Sequence, residues 1–238
     1  MELAKNLQVT LNRSYGKTDL YVDLAQSISG VILIGFLWMH MLFVSTIIVS
    51  PALFDTLSEG LDKYYLAQLG IPATILIIVI HIFLAGRRAP LRLRDLRITY
   101  RMAKLMGHFD TWVWVGQVVT ALMVGIMASI HLWTILGAWP LRAATSAARV
   151  ASSGPADITW GGFAFPFYIL FYVVFLIAGE YHGGFGLYRI LVKWGWWERH
   201  TMGYVLKGIT VIIVALGFIS LYTFTKIAAN PAIGGAIH

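Results

Sequence analysis

Apolar residues along most of this chain run together rather than alternate with polar ones. Five such runs lie near Ser27 to Ser50, Leu66 to Gly86, Thr111 to Trp139, Phe163 to Leu191 and Met202 to Thr225. Each approaches the roughly 20 residues that a helix needs to cross the hydrocarbon core of a bilayer. The pattern predicts an all-α membrane protein, a bundle of five transmembrane helices. Between the second and third runs the pattern changes. Arg92 to Leu105 (RLRDLRITYRMAKL) reads as a basic amphipathic helix that lies against anionic lipid headgroups or docks a soluble partner. Pro51 to Lys63, with Asp55, Glu59 and Asp62, reads as a short connection. Pro140 to Thr159, with Ala144, Ser146, Ser152, Ser153, Gly154 and Pro155, reads as a surface loop. Met1 to Asp23 is polar and mixed in charge, so the first apolar run is expected to stay as a helix rather than be cleaved. Neither an internal repeat nor a low-complexity linker divides residues 1–238, which read as one domain.

Composition agrees with the pattern: 58% of the 238 residues are hydrophobic and only 12% charged, about half the usual charged share of a soluble domain. The net charge of +7 could suggest nucleic acid, but the distribution of charge points to topology instead. Lys5, Arg13 and Lys17 precede the first run. Arg87, Arg88, Arg92, Arg94, Arg97, Arg101 and Lys104 follow the second. Arg189, Lys193, Arg199 and Lys207 flank the turn between the fourth and fifth. The opposite side keeps only Lys63, Arg142, Arg149 and Lys226. Basic loops stay in the cytoplasm, so the N-terminus is expected there and, after five crossings, the C-terminus outside. Tyr64, Tyr65, Trp139, Trp160, Trp194, Trp196 and Trp197 cluster near the ends of the runs, where amphipathic rings favour the headgroup level. There is no cysteine, which excludes disulfides, thiolate metal sites and iron–sulfur ligation by this chain.

Four of the seven histidines lie well inside apolar runs: His40, His81, His131 and His182. Polar groups in hydrocarbon are expensive and mark function by default, although a single one can merely bond between helices. Their depths follow from the 1.5 Å helical rise. His40 is about 15 Å from the outer end of its helix and His131 about 14 Å from the outer end of its own. His81 is about 9 Å, and His182 about 10 Å, from the inner boundary. The four therefore sort into an outer pair, His40 with His131, and an inner pair, His81 with His182. Each pair sits on two different helices. A haem needs two imidazoles approaching its iron from opposite faces, and facing helices of a bundle commonly supply them. Zinc wants four ligands around one point, which two depths do not provide. Gly35, Gly125, Gly179, Gly183, Gly184 and Gly186 lie near the ligands and would leave room for a porphyrin or simply for close helix packing. With no C-x-x-C-H attachment motif, two non-covalent haems of the b type are expected. His108, His200 and His238 read as interfacial or solvated.

Glu180 is the clearest acid inside a run. Two residues from His182, it points to a different helical face. An acid in hydrocarbon is a candidate proton relay, or a neutral group bonded to a neighbouring helix.

HMLFVST at His40, HIFLAGRR at His81, HLW at His131 and GEYHGGFGLYR with KWGWWE around His182 resemble the dihaem cytochrome b subunit of menaquinol:fumarate reductase, within the succinate:quinone oxidoreductase superfamily. The resemblance implies a subunit of the bacterial inner membrane that anchors a flavoprotein subunit and an iron–sulfur subunit on the cytoplasmic face. It implies menaquinol oxidation in the membrane. Electrons would then pass from the outer to the inner haem, through iron–sulfur clusters, and on to FAD, where fumarate becomes succinate. By the same resemblance Glu180 lies on the proton route, and Gln26, Ser27, Trp114 and Lys193 contact the inner-haem propionates. The family's quinol-site carboxylate falls on a connection that is shorter here, leaving Glu59 or Asp62 as candidates. A dimer of the whole complex is compatible with the resemblance. Three other readings stay open: the same architecture running in reverse as succinate:quinone reductase, a transporter or channel whose buried histidines and Glu180 serve protons alone, and a structural anchor without cofactors.

Overall fold

The computed structural model describes residues 17–87, 93–137, 139–151 and 167–230. The readings at Lys5, Arg13, Arg88, Arg92, Ser152, Ser153, Gly154, Pro155, Trp160 and His238 lie outside them. We number the helices α1 (Lys17–Ser45), α2 (Pro51–Lys63), α3 (Leu66–Gly86), α4 (Leu93–Met106), α5 (Phe109–Leu136), α6 (Ala143–Ala151), α7 (Phe167–Lys193) and α8 (Arg199–Ala229). No strand occurs among the described residues.

Five helices are long and apolar enough to span a membrane: α1 with the 3₁₀ turn that extends it to Ile48, then α3, α5, α7 and α8. Large apolar side chains such as Leu69, Phe83, Trp133 and Val211 are more than two-thirds exposed along them. That is how a helix facing lipid rather than water distributes its apolar groups. The helices outlast the apolar runs. α1 is already helical at Lys17, ahead of Ser27, and α8 continues past Thr225 to Ala229, because polar residues at the ends of a span can continue the helix beyond the hydrocarbon.

α1 packs on α3, α7 and α8, and α7 packs on α5 and α8. The order round the bundle is therefore α3, α1, α7, α5, with α8 lying against α1 and α7. At the end where α1 begins, Arg87 bridges Asp19 at 3.0 Å and Asp23 at 3.1 Å, and Lys193 reaches Asp23 at 3.1 Å. These pairs tie α1, the end of α3 and α7 together. The basic amphipathic stretch forms α4 as expected. It packs on α5 through a fully buried Ala103 and an edge contact of Tyr100 with Trp112.

The opposite end corrects two expectations. Pro51 to Lys63 is not a simple connection but a helix. The Ser50 hydroxyl accepts a bond from the Leu53 backbone N–H at 3.1 Å, and Pro51 opens the first turn. This is the capping chemistry expected of a serine–proline start. Pro140 to Thr159 is not wholly a surface loop either, since it contains α6. Ala143, Ala147 and Val150 recur at helical spacing, and all three are buried. They join Ile47, Phe54, Phe224 and Ile227 in one apolar cluster. Polar ties secure it: the Asp55 carboxylate accepts the Ala143 N–H at 2.6 Å, and the Ser58 hydroxyl donates to the Leu141 carbonyl at 2.9 Å. α2 and α6 thus form a small roof over one end of the bundle. Phe54, 3% exposed, touches the rings of both Phe43 and Phe224. Phe54→Ala is expected to cost about 3 kcal/mol, read as earlier thermal unfolding of the detergent-solubilised protein.

Candidate functional site: paired histidines inside the bundle

The four internal histidines sit on four different spans: His40 on α1, His81 on α3, His131 on α5 and His182 on α7. The rings of His40 and His131 meet with centroids 6.0 Å apart and planes at 67°. His81 of α3 and His182 of α7 lie at matched depths, about 9 and 10 Å from the basic ends of their helices. Each pair is carried by helices separated by one intervening helix: α7 stands between α1 and α5, and α1 between α3 and α7. Neither carrying pair is among the closely packed helix pairs. Among the described residues no three His, Asp or Glu side chains converge as a metal cluster.

The surroundings of the pairs differ. His131 is walled by aromatic rings of α7, with Tyr172 and Phe175 each at 5.7 Å, and its Nδ1 lies 3.3 Å from the Tyr172 hydroxyl. His40 stacks on Phe36 at 5.8 Å. The other pair has aliphatic hydroxyls beside it. Ser29 Oγ stands 2.9 Å from His81 Nδ1, and Thr120 Oγ1 stands 3.5 Å from His182 Nδ1. Sequence reasoning did not single out Ser29, Thr120 or Tyr172. Gly30 was missed as well: a Cβ there would stand 3.3 Å from His81 Cε1, so its absence lets the imidazole lie against α1. Among the glycines named from sequence, Gly183 and Gly184 face Ile34 and Thr210 and serve helix packing, whereas Gly35 and Gly125 have nothing within 4 Å.

Glu180 is only 2% exposed, and neither carboxylate oxygen has a hydrogen-bond partner. The buried indole N–H of Trp38 on α1 lies within interaction range of this carboxyl group without closing a regular hydrogen bond. Glu180 thus faces α1, while His182 faces Thr120 of α5.

The remaining candidates lie at the two ends of the bundle. Ser27 is buried and accepts a bond from the Trp194 indole N–H at 3.2 Å. Lys193 pairs with Asp23 and stands over the Trp194 ring at 5.3 Å. Gln26 takes part through its carbonyl, which accepts from Ser29 at 2.9 Å. Trp114 is half-buried on α5. Ser27 and Lys193 are therefore gathered around Asp23, and Trp114 stands on a separate helix. Glu59 on α2 pairs with Arg142 at 3.2 Å and is largely exposed, and Asp62 accepts a bond from the Gln68 side chain.

Five long apolar helices with histidines paired between them define a multi-pass helical membrane protein. Residues 94–221 match the succinate dehydrogenase/fumarate reductase transmembrane subunit family, and the chain belongs to that family. It is 30% identical over 223 residues to the fumarate reductase cytochrome b subunit of Helicobacter pylori strain J99, covering 88% of this chain and 83% of the relative. It is equally 30% identical over 202 residues to the fumarate reductase cytochrome b subunit of Wolinella succinogenes, covering 81% and 74% of the two chains.

Proposed function

We propose that this chain is the membrane anchor and electron-transfer subunit of a quinol:fumarate reductase. It holds two b haems and works with a flavoprotein subunit and an iron–sulfur subunit on the cytoplasmic face of a bacterial inner membrane. The observation that carries the reading is the meeting of His40 and His131 at 6.0 Å. Two imidazoles bound to one metal at about 2.0 Å each put their ring centroids roughly 6 Å apart. The matched depths of His81 and His182 extend the reading to a second site. Family membership and the shared name of the relatives supply the partners and the reaction.

In this arrangement His40 and His131 would hold one iron, and His81 and His182 would hold the other. Bound there, each haem supplies a one-electron Fe(III)/Fe(II) couple. The chain's own residues do the rest. The α1, α3, α5 and α7 scaffold fixes the imidazoles at two depths, and the apolar walls around His40 and His131 exclude water. By the family resemblance Gln26, Ser27, Trp114 and Lys193 contact the propionates of the inner haem, and Ser27 and Lys193 lie at the end bearing the ionic ties. Glu180 takes up and releases a proton inside the bundle as charge moves, since quinol oxidation liberates protons as well as electrons. Glu59 or Asp62, at the other end, supplies the quinol-site acid. Iron–sulfur clusters belong to the partners, because this chain has no cysteine, and FAD belongs with them by the family resemblance. The basic surface of α4 is the docking face for those partners.

A reduced-minus-oxidised spectrum of the purified complex should show a b-type α-band with two haems per copy of this chain. Fumarate reduction by a low-potential quinol should outrun succinate oxidation. A complex without haem would refute the reading, and dominant succinate oxidation would reverse its direction.

A further inference from the structure

One sequence pattern occurs twice beside the same pair of histidines. Gln26-x-x-Ser29 lies on α1 and Gln117-x-x-Thr120 on α5. At the first, the Ser29 hydroxyl donates to the Gln26 carbonyl at 2.9 Å and stands 2.9 Å from His81 Nδ1. At the second, the Thr120 hydroxyl donates to the Gly116 carbonyl at 2.7 Å, with the Gln117 carbonyl at 3.4 Å, and stands 3.5 Å from His182 Nδ1. A hydroxyl carries one hydrogen. In both cases that hydrogen is committed to a carbonyl of the same helix, so toward the imidazole the oxygen can only accept. With both hydroxyls accepting, Nδ1 of each ring carries the proton, which leaves the Nε2 lone pair of each ring free to bind a metal.

Resting on the haem-binding reading above, we propose that Ser29 and Thr120 are positioning residues that fix the tautomer and rotation of His81 and His182 and tune the haem held between them. Accepting a hydrogen bond from the far side of a ligating imidazole holds the ring in place and raises its basicity. A more basic ligand favours the oxidised iron. The other pair differs in kind, since there an aromatic hydroxyl, Tyr172, stands by His131 at 3.3 Å. The two haems are thus tuned by different groups, and a change at Ser29 or Thr120 should register on one haem alone.

The experiment is a redox titration of the purified complex with ferric low-spin electron paramagnetic resonance. It compares Ser29→Ala, Ser29→Thr, Thr120→Val and Thr120→Ser. Ser29→Ala and Thr120→Val should raise the midpoint potential of one haem and shift its ferric signal, leaving the second haem unmoved. Ser29→Thr and Thr120→Ser, which keep the hydroxyl, should return both to the parent values. If Ser29→Ala loses a haem that Ser29→Thr retains, the hydroxyl requirement is upheld in stronger form. Two haems with unmoved potentials and signals in both Ser29→Ala and Thr120→Val would overturn the positioning role while leaving haem binding intact. So would loss of haem shared by Ser29→Ala and Ser29→Thr, which would point to side-chain size. A parent complex without haem would sink the positioning role together with the reading beneath it.

Discussion

Replacing His182 by alanine is expected to strip one haem of two from each chain, and replacing His81 should strip the same one. His40→Ala and His131→Ala should remove the other. The expectation rests on placement. The His40 ring meets the His131 ring at 6.0 Å, and His81 and His182 share a depth on their two helices. With one of the two imidazoles gone, the other alone would have to hold the haem. Each loss should lower quinol-driven fumarate reduction by on the order of 100-fold or more, equivalent to about 2.7 kcal/mol of barrier. Fumarate reduction by an artificial dye that feeds the soluble partners directly should survive. Pyridine haemochromogen content with difference spectra of the four variants checks this, and losses grouped in any other way would break the pairing.

The second large effect is expected at Glu180. Glu180→Gln should leave two haems in place and slow quinol-coupled turnover by about 100-fold, within the range of a lost general acid–base group. The amide keeps the shape of the side chain but cannot release and regain a proton. Glu180 is 2% exposed with both oxygens unbonded. Turnover and proton release to the medium, measured together in proteoliposomes, are the readout. Parent-like values of both would remove Glu180 from any proton route.

Much of this arrangement was legible in the sequence, and for a physical reason. In a bilayer the length of an apolar run and the 1.5 Å rise of a helix convert position into depth, so four histidines could be sorted before any contact was known. The same arithmetic is blind to what stands beside a residue. Ser29, Thr120 and Gly30 reach their histidines from other helices, and nothing local to His81 or His182 announces them. The twice-written Gln-x-x-Ser/Thr spacing was the available clue. The roof was missed for a different cause. α2 and α6 are short, lie among loop-like residues and carry few large apolar side chains. Their signals were the Ser50–Pro51 start and the recurrence of Ala143, Ala147 and Val150, both easily outweighed by the flanking serines, glycine and proline. Lys193 shows a third limit. The family resemblance named it, but its ion pair with Asp23 of α1 joins residues too far apart in the chain for spacing to reveal.

The roof also says something about the order in which the molecule can be completed. Its polar ties join residues 88 and 83 positions apart, Asp55 to Ala143 and Ser58 to Leu141. Its apolar cluster closes only on Phe224 and Ile227, near the end of α8. A chain emerging from the ribosome N-terminus first makes Ile47 and Phe54 long before the residues that cover them, so this patch stays partly uncovered, with only α6 against it, until the fifth span is inserted. A polypeptide cut short before Phe224 would carry an open apolar surface beside the membrane, a mark by which a protease or chaperone could tell a finished subunit from an unfinished one.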